Sequence, residues 1–236
     1  MSQSDAALSP FGVKTQGPTI DDLPPVARAF LTQHGSVRHY RREEEVQRHR
    51  VAPTVASWLL EGRIRSCVYL PDGLEQSHGW VMPGELFGVF NLLLPGSVSR
   101  MHLLVDTDEA RILHFSREVL LEMMMTFPEA RVGIAMGLAR RIQQQHDVID
   151  MSGARPLLDK LRAVLVWWSN QYGLPALDGS VELWVSQADL ANGVGASRQR
   201  VHLELSNLRD LGELDLAYRK VIIRPRFFEK LRLFAD

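Results

Sequence analysis

A short run of polar side chains, Ser197, Arg198, Gln199, Arg200 and His202, follows a Gly-Val-Gly turn at 193–195. An arginine fork fits the two acceptors on guanine and a glutamine amide fits adenine, so Arg198 and Gln199 have the chemistry of base-edge reading. A serine hydroxyl such as Ser197 suits a phosphate oxygen, and Arg200 and His202 suit backbone or base. Further on, Tyr218, Arg219 and Lys220 put an aromatic and two cations between two apolar runs. That composition fits a hairpin tip that touches a phosphate backbone.

Such side chains need elements that hold them in register. Ser186 is a strong helix N-cap, reinforced by Asp189 at the positive end of the helix dipole, and we group it with the candidate contacts. The helix it starts runs through Leu190 and Ala191 and stops near Gly193, where glycine gives a tight turn without steric cost. Ser197 caps the next helix, whose buried face is Val201, Leu205 and Leu208. Ala191 is small where the two helices cross, and Val194 plugs the space between them. Two short helices, a glycine turn and a small residue at the crossing are the constraints of a helix-turn-helix. The runs 211–216 and 221–223 then read as a β-hairpin, completing a winged motif over about 186–226. Between Arg198 and Arg232 nine Lys or Arg face five Asp or Glu, an excess of four in a chain of net charge −1. That basic end suits phosphates.

The remainder of the 236 residues changes texture along the chain. Residues 1–25 are polar and proline-containing and read as a flexible arm. Over 36–115, short apolar or alternating runs at 55–60, 64–70, 102–105 and 110–115 are separated by Gly, Pro and Asp turn signals, the pattern of a jelly roll. Ser116 caps a short helix, and Pro128 opens a longer one reaching about Met151. In that helix Ala135, Leu138, Ile142, Gln145 and Ile149 alternate at three and four residues, the seam spacing of two packed helices. Gly133 and Gly137 weaken it in isolation, so it needs a partner surface. A further helix over 155–172 carries Leu157, Leu158, Leu161, Val164, Leu165 and Trp168 on one face. The expected architecture is α+β: a flexible arm (1–25), a jelly-roll β-barrel sensor domain (26–126), a long dimerisation helix (127–152) and a C-terminal winged helix-turn-helix (153–236).

Several function classes are disfavoured. The single cysteine, Cys67, excludes an intramolecular disulfide and a cysteine-ligated iron–sulfur cluster, and its apolar neighbours point to a buried, inert thiol. No metal site is expected. No long apolar run spans a membrane and the N-terminus lacks a secretion signal, so a cytoplasmic protein is expected. No Gly-rich phosphate loop, H-E-x-x-H or G-x-S-x-G motif occurs, so no enzyme is expected. The methionines Met101, Met123, Met124, Met125 and Met136 read as core filler.

In its order of elements the chain resembles the Crp/Fnr family of transcription regulators over about residues 37–231. The strongest match is Gly195, Ser197, Arg198 and Val201, close to that family's G-x-S-R-x-x-V recognition-helix start. The resemblance implies a homodimer that places Arg198 and Gln199 in the major groove of double-stranded DNA. It also implies RNA polymerase as a partner and a small effector in the β-roll. Leu203 stands where the family often has a cation. Counted back from the strand end at Ser116, Arg100 falls on the family's phosphate-binding arginine, with Phe90 and Met101 where its cyclic-nucleotide binders have a ribose-binding carboxylate and a small hydroxyl residue. Phenylalanine cannot accept a ribose hydroxyl, so cyclic AMP in the usual pose is doubtful. Haem stays open, because His34, His39, His49, His78, His102 and His114 all fall in the sensor and imidazole ligates iron. A module that binds a nucleotide-like ligand and regulates a protein partner is the alternative reading.

Overall fold

The computed structural model describes residues 17–71, 73, 75–152 and 156–232, and only the backbone of 144–152 and 230–232. The chain divides into two compact units, one holding Thr15–Asp147 and the other Val148–Asp236.

The first unit is a sandwich. A helix, α1 (Pro25–His34), precedes strands β1 (Ser36–Arg41), β2 (Glu45–Gln47), β3 (Val55–Glu61), β4 (Ile64–Tyr69), β5 (Glu75–Val81) and β6 (Leu86–Phe87). A one-turn helix α2 (Val89–Leu93) and strands β7 (His102–Val105) and β8 (Glu109–Ser116) complete it. The strands form two four-stranded sheets of order β1-β8-β3-β6 and β2-β7-β4-β5, with antiparallel pairing throughout. Strand β8 is apolar on both faces because both are covered. Its Ala110 and Ile112 meet Leu59, Ile64, Leu103 and Val105 between the sheets. Its Leu113 and Phe115 face a second core built with Leu31, Leu120, Met123 and Ile134 from the helices.

Those helices are α1, α3 (Arg117–Thr126) and α4 (Pro128–Ser152). Ser116 caps α3 by accepting the Val119 N–H. The expected loose arm ends earlier than residue 25. Thr19 bridges Glu85, the Ile20 N–H donates to the Gly84 carbonyl, and Ile20 and Leu23 are buried. This strap lies against α4 at its two glycines: a Cβ at Gly133 would overlap the Asp22 carbonyl, and one at Gly137 would overlap Pro18. Asp22 also pairs with Arg140 of the same helix. Apolar burial, not sequence polarity, decides the strap's state, since Ile20 and Leu23 have a core to enter. Residues 1–16 lie outside the described residues.

The second unit comprises α5 (Leu157–Tyr172), β9 (Leu174–Pro175), β10 (Val181–Leu183), α6 (Gln187–Val194), α7 (Arg198–Asp210), β11 (Leu214–Ala217), β12 (Lys220–Ile223) and α8 (Pro225–Arg232). Its sheet has order β11-β12-β10-β9. Leu161, Leu165 and Trp168 of α5 are buried, as are Leu190 and Ala191 of α6 and Val201, Leu205 and Leu208 of α7. Glu213, fully buried, is held by the guanidinium of Arg162 at 2.8 Å, so the carboxylate is not left uncompensated.

Candidate nucleic-acid interface and sensor cavity

In the second unit, α6 and α7 are joined as the caps dictate. Ser186 and Asp189 form a reciprocal capping box, with the Asp189 N–H donating to Ser186 Oγ at 3.1 Å and the Ser186 N–H donating to Asp189 Oδ2 at 2.9 Å. The helix runs to Val194, and Gly195 rather than Gly193 takes the left-handed turn, at φ 66°. Ser197 then caps α7 by accepting the Arg200 N–H. The wing follows: Ala217 pairs with Lys220, leaving Tyr218 and Arg219 as a two-residue turn.

Between α7 and the wing lies a groove of about 890 Å³, bounded by Arg198, Gln199, His202 and Leu203 on the helix and by residues 216–221 on the hairpin. Those four helix positions share one face, because side chains three to five residues apart stack along a helix. Arg198 and Gln199 are exposed. His202 Nδ1 lies 3.2 Å from Gln187 Oε1, which fixes the ring against the start of α6. Tyr218 is 89% exposed at the wing tip.

Four expected contacts are placed differently. Ser197 and Arg200 are exposed but do not border the groove. Ser186 borders it, yet its hydroxyl proton is given to Asp189 Oδ2 at 2.6 Å, so it is a cap and not a free phosphate donor. Lys220 turns back onto its own sheet, 3.1 Å from Glu182 and 5.3 Å above the Trp184 ring, where a salt bridge and a cation–π contact occupy its charge. The basic excess is narrower than the residue count for a related reason: Arg224 is paired with Asp215 and Asp178, and Arg209 with Asp210.

The first unit holds a cavity of about 480 Å³. Arg100, Phe90 and Met101, the expected effector contacts, all line it, together with Leu138, Arg141 and Ile142 of α4. Sequence reasoning missed all three of these α4 residues as wall residues, since nothing local signals that a helix far along the chain returns to cover the barrel. It also missed Ser66, Trp80, Glu85 and Asn91. Glu85 accepts the Met82 N–H at 2.8 Å, and burial pushes its carboxyl up against the pull of Arg141. Burial, with Arg141 nearby, pulls the cavity-lining His78 imidazole down from its ordinary value. His114 is unsuited to iron, because Tyr40 Oη and Ser57 Oγ occupy its two ring nitrogens, each at 2.8 Å. Cys67 is buried, and burial pushes its thiol up to about 11, leaving it protonated and unreactive. Among the described residues no cluster of three or more His, Cys, Asp or Glu could hold a metal ion.

The long helix presents two faces. Leu138 packs inward on the helix–sheet core instead of lining a seam. Ala135 and Ile142 lie outward, with Val132 (61% exposed), Met136 (56%) and Ala139. Met125 and Met136 are thus surface residues and not core filler, whereas Met123 is fully buried. The side chains of Gln145 and Ile149 fall outside the described residues.

A β-roll with an internal cavity, followed by a winged helix-turn-helix, is the architecture of a two-domain transcription regulator. Residues 30–127 match the cyclic nucleotide-binding domain family. The "Global nitrogen regulator" of Nostoc sp. (strain PCC 7120 / SAG 25.82 / UTEX 2576) is 23% identical over 167 residues, covering 70% of this chain and 75% of that protein. The "Transcriptional activatory protein AadR" of Rhodopseudomonas palustris is 27% identical over 180 residues, covering 75% and 72%. The structure of the c-di-GMP responsive global regulator CLP of Xanthomonas campestris superposes with a TM-score of 0.72 at 19% identity, over 85% of this chain and 99% of that one. Residues 30–127 thus carry a cyclic nucleotide-binding domain, and the chain has the fold of transcription regulators of the Crp/Fnr family. Among the described residues no helix is long and apolar enough to cross a membrane.

Proposed function

We propose that this regulator binds an inverted-repeat DNA site as a homodimer, with Arg198 and Gln199 reading base edges and Ser197, Tyr218 and Arg219 holding the phosphate backbone. The observation that carries this reading is the groove between α7 and the wing, with an arginine and a glutamine side by side on its helical wall. Arg219 adds support from strain. It sits at φ 50°, a region that costs a non-glycine residue about 1 kcal/mol or more, and its cation stands at the wing's turn. The dimer would pair along the exposed apolar stripe of α4, setting two α7 helices roughly 34–36 Å apart, one turn of DNA. A ligand in the β-roll touches Leu138, Arg141 and Ile142, so its binding would bias that helix and select one of two dimer states.

No catalytic role is proposed. The alternative, a ligand-binding module acting on a protein partner, leaves Arg198 and Gln199 without a task. The test is capture of genomic fragments by purified protein, with and without a small-metabolite extract, followed by affinity measurement on the enriched site. Arg198→Ala should weaken specific binding by roughly ten- to a hundredfold, the value of one good base contact, while leaving non-specific binding nearly unchanged. Unchanged specific binding would remove α7 as the reading helix.

A further inference from the structure

We propose that the cavity of the first unit takes a small carboxylic acid with a flat, largely apolar body that ends in an O–H or N–H donor, in preference to a cyclic nucleotide. The inference rests on reading the β-roll as an effector site. It begins with what the walls lack. Arg100 borders the cavity and pairs with no carboxylate among the described residues. An arginine fork fits a carboxylate in two parallel hydrogen bonds.

Asn91, which also lines the cavity, is only 6% exposed. Its Nδ2 donates to Ser97 Oγ at 2.9 Å and to the Val98 carbonyl at 3.1 Å. A carbonyl can only accept, so the amide cannot be turned round, and Oδ1 is left buried without a donor. Ser66, 5% exposed, also lines the cavity with an unpartnered hydroxyl. A buried acceptor left unsatisfied costs about 1–3 kcal/mol, which a ligand donor would recover. Trp80, Phe87, Phe90 and Met101 also line the cavity.

A cyclic nucleotide fits this pattern poorly. Its purine and ribose carry several donors and acceptors, each costly to bury against apolar walls. Phe90 offers a ring where the sugar needs a carboxylate. Ser99, the one hydroxyl beside Arg100, is already committed: it accepts from Gln47 Nε2 at 2.6 Å and donates to the Met101 carbonyl at 2.7 Å. Glu85 and Arg141, which also line the cavity, have interactions of their own. One anion-binding arginine, an apolar slot and one orphaned acceptor match an acid with a single distal donor.

The test is calorimetric titration of the full chain with 4-hydroxyphenylacetate, phenylacetate (no distal donor), 4-hydroxyphenethyl alcohol (no acid), cyclic AMP and cyclic GMP. The first should bind best, and loss of either end group should weaken binding by about tenfold, the worth of one charged or buried hydrogen bond. Arg100→Gln, a change at an exposed side chain, should abolish the preference for acid over alcohol. Asn91→Leu, checked by its melting temperature, should abolish the preference for hydroxyl over hydrogen. Tighter binding of either cyclic nucleotide, an acid preference that survives Arg100→Gln, or no binding of the acid at millimolar concentration would each overturn the proposal. If the acids fail while metabolite extract still switches DNA capture, the ligand class is wrong and the effector reading stands. If extract does nothing either, both fall.

Discussion

His114 shows how far a single side chain can be moved from its solution chemistry. Wedged between Tyr40 and Ser57, it is held down to about 4 by burial and by the nearby Arg38 charge, against an ordinary 6.5. The unfolded chain therefore takes up a proton at a pH where the folded chain does not. This contribution to stability is fully present above pH 6.5 and is lost progressively as pH falls toward 4, by up to about 3 kcal/mol. Urea unfolding from pH 7 to pH 5 should lose stability faster for the native protein than for His114→Gln. Equal slopes would show that the ring is not held neutral. The wing offers a second prediction. Arg219→Ala should reduce affinity for all DNA sequences alike and lower the salt dependence by about one counterion, as read from binding at several salt concentrations. At this scale the sequence was informative wherever chemistry is local. Ser197, Arg198 and Gln199 were legible because cap, turn and helix face lie within a few residues. Lys220 was not, because Glu182 and Trp184, which engage its charge, stand on another part of the sheet.

Among the elements, α4 carries the sharpest prediction. In an exposed helix, replacing glycine by alanine would stabilise by about 1 kcal/mol. At Gly137, where a Cβ meets Pro18, and at Gly133, where it meets the Asp22 carbonyl, the sign should reverse. Gly137→Ala should cost about 1–3 kcal/mol through overpacking, measured as a lowered melting temperature. A raised one would mean that the strap yields. The two glycines were visible in the sequence as a helix in need of a neighbour, but the neighbour was not. Residues 17–23 look polar, and only two of them, Ile20 and Leu23, have large apolar side chains, both buried. Two apolar side chains in a short segment make no periodic signal. Strands β3, β4, β7 and β8 and the paired helices of the second unit have apolar patterns regular enough to be read directly, whereas β1, β2, β5 and β6 are too short or too polar to give one.

For the molecule as a whole, the exposed stripe of Val132, Met136 and Ile142 is the surface that the proposed dimer would cover. Met136→Glu should yield monomers on sizing with light scattering and should weaken binding to a full inverted repeat far more than to a half-site. A dimer that persists would move the interface elsewhere. The heptad-like spacing suggests a seam but includes Leu138, which faces the core of its own unit, because spacing alone does not say which helix face the barrel covers. The strap that joins Asp22 to Arg140 also sets an order of events during synthesis. Its two ends are 118 residues apart in the chain. The strap residues must therefore wait for nearly the whole sensor unit to be made before their partner exists. Until α4 emerges, the apolar side chains under the strap have nowhere to go, and the nascent chain exposes them for the time it takes to translate the barrel.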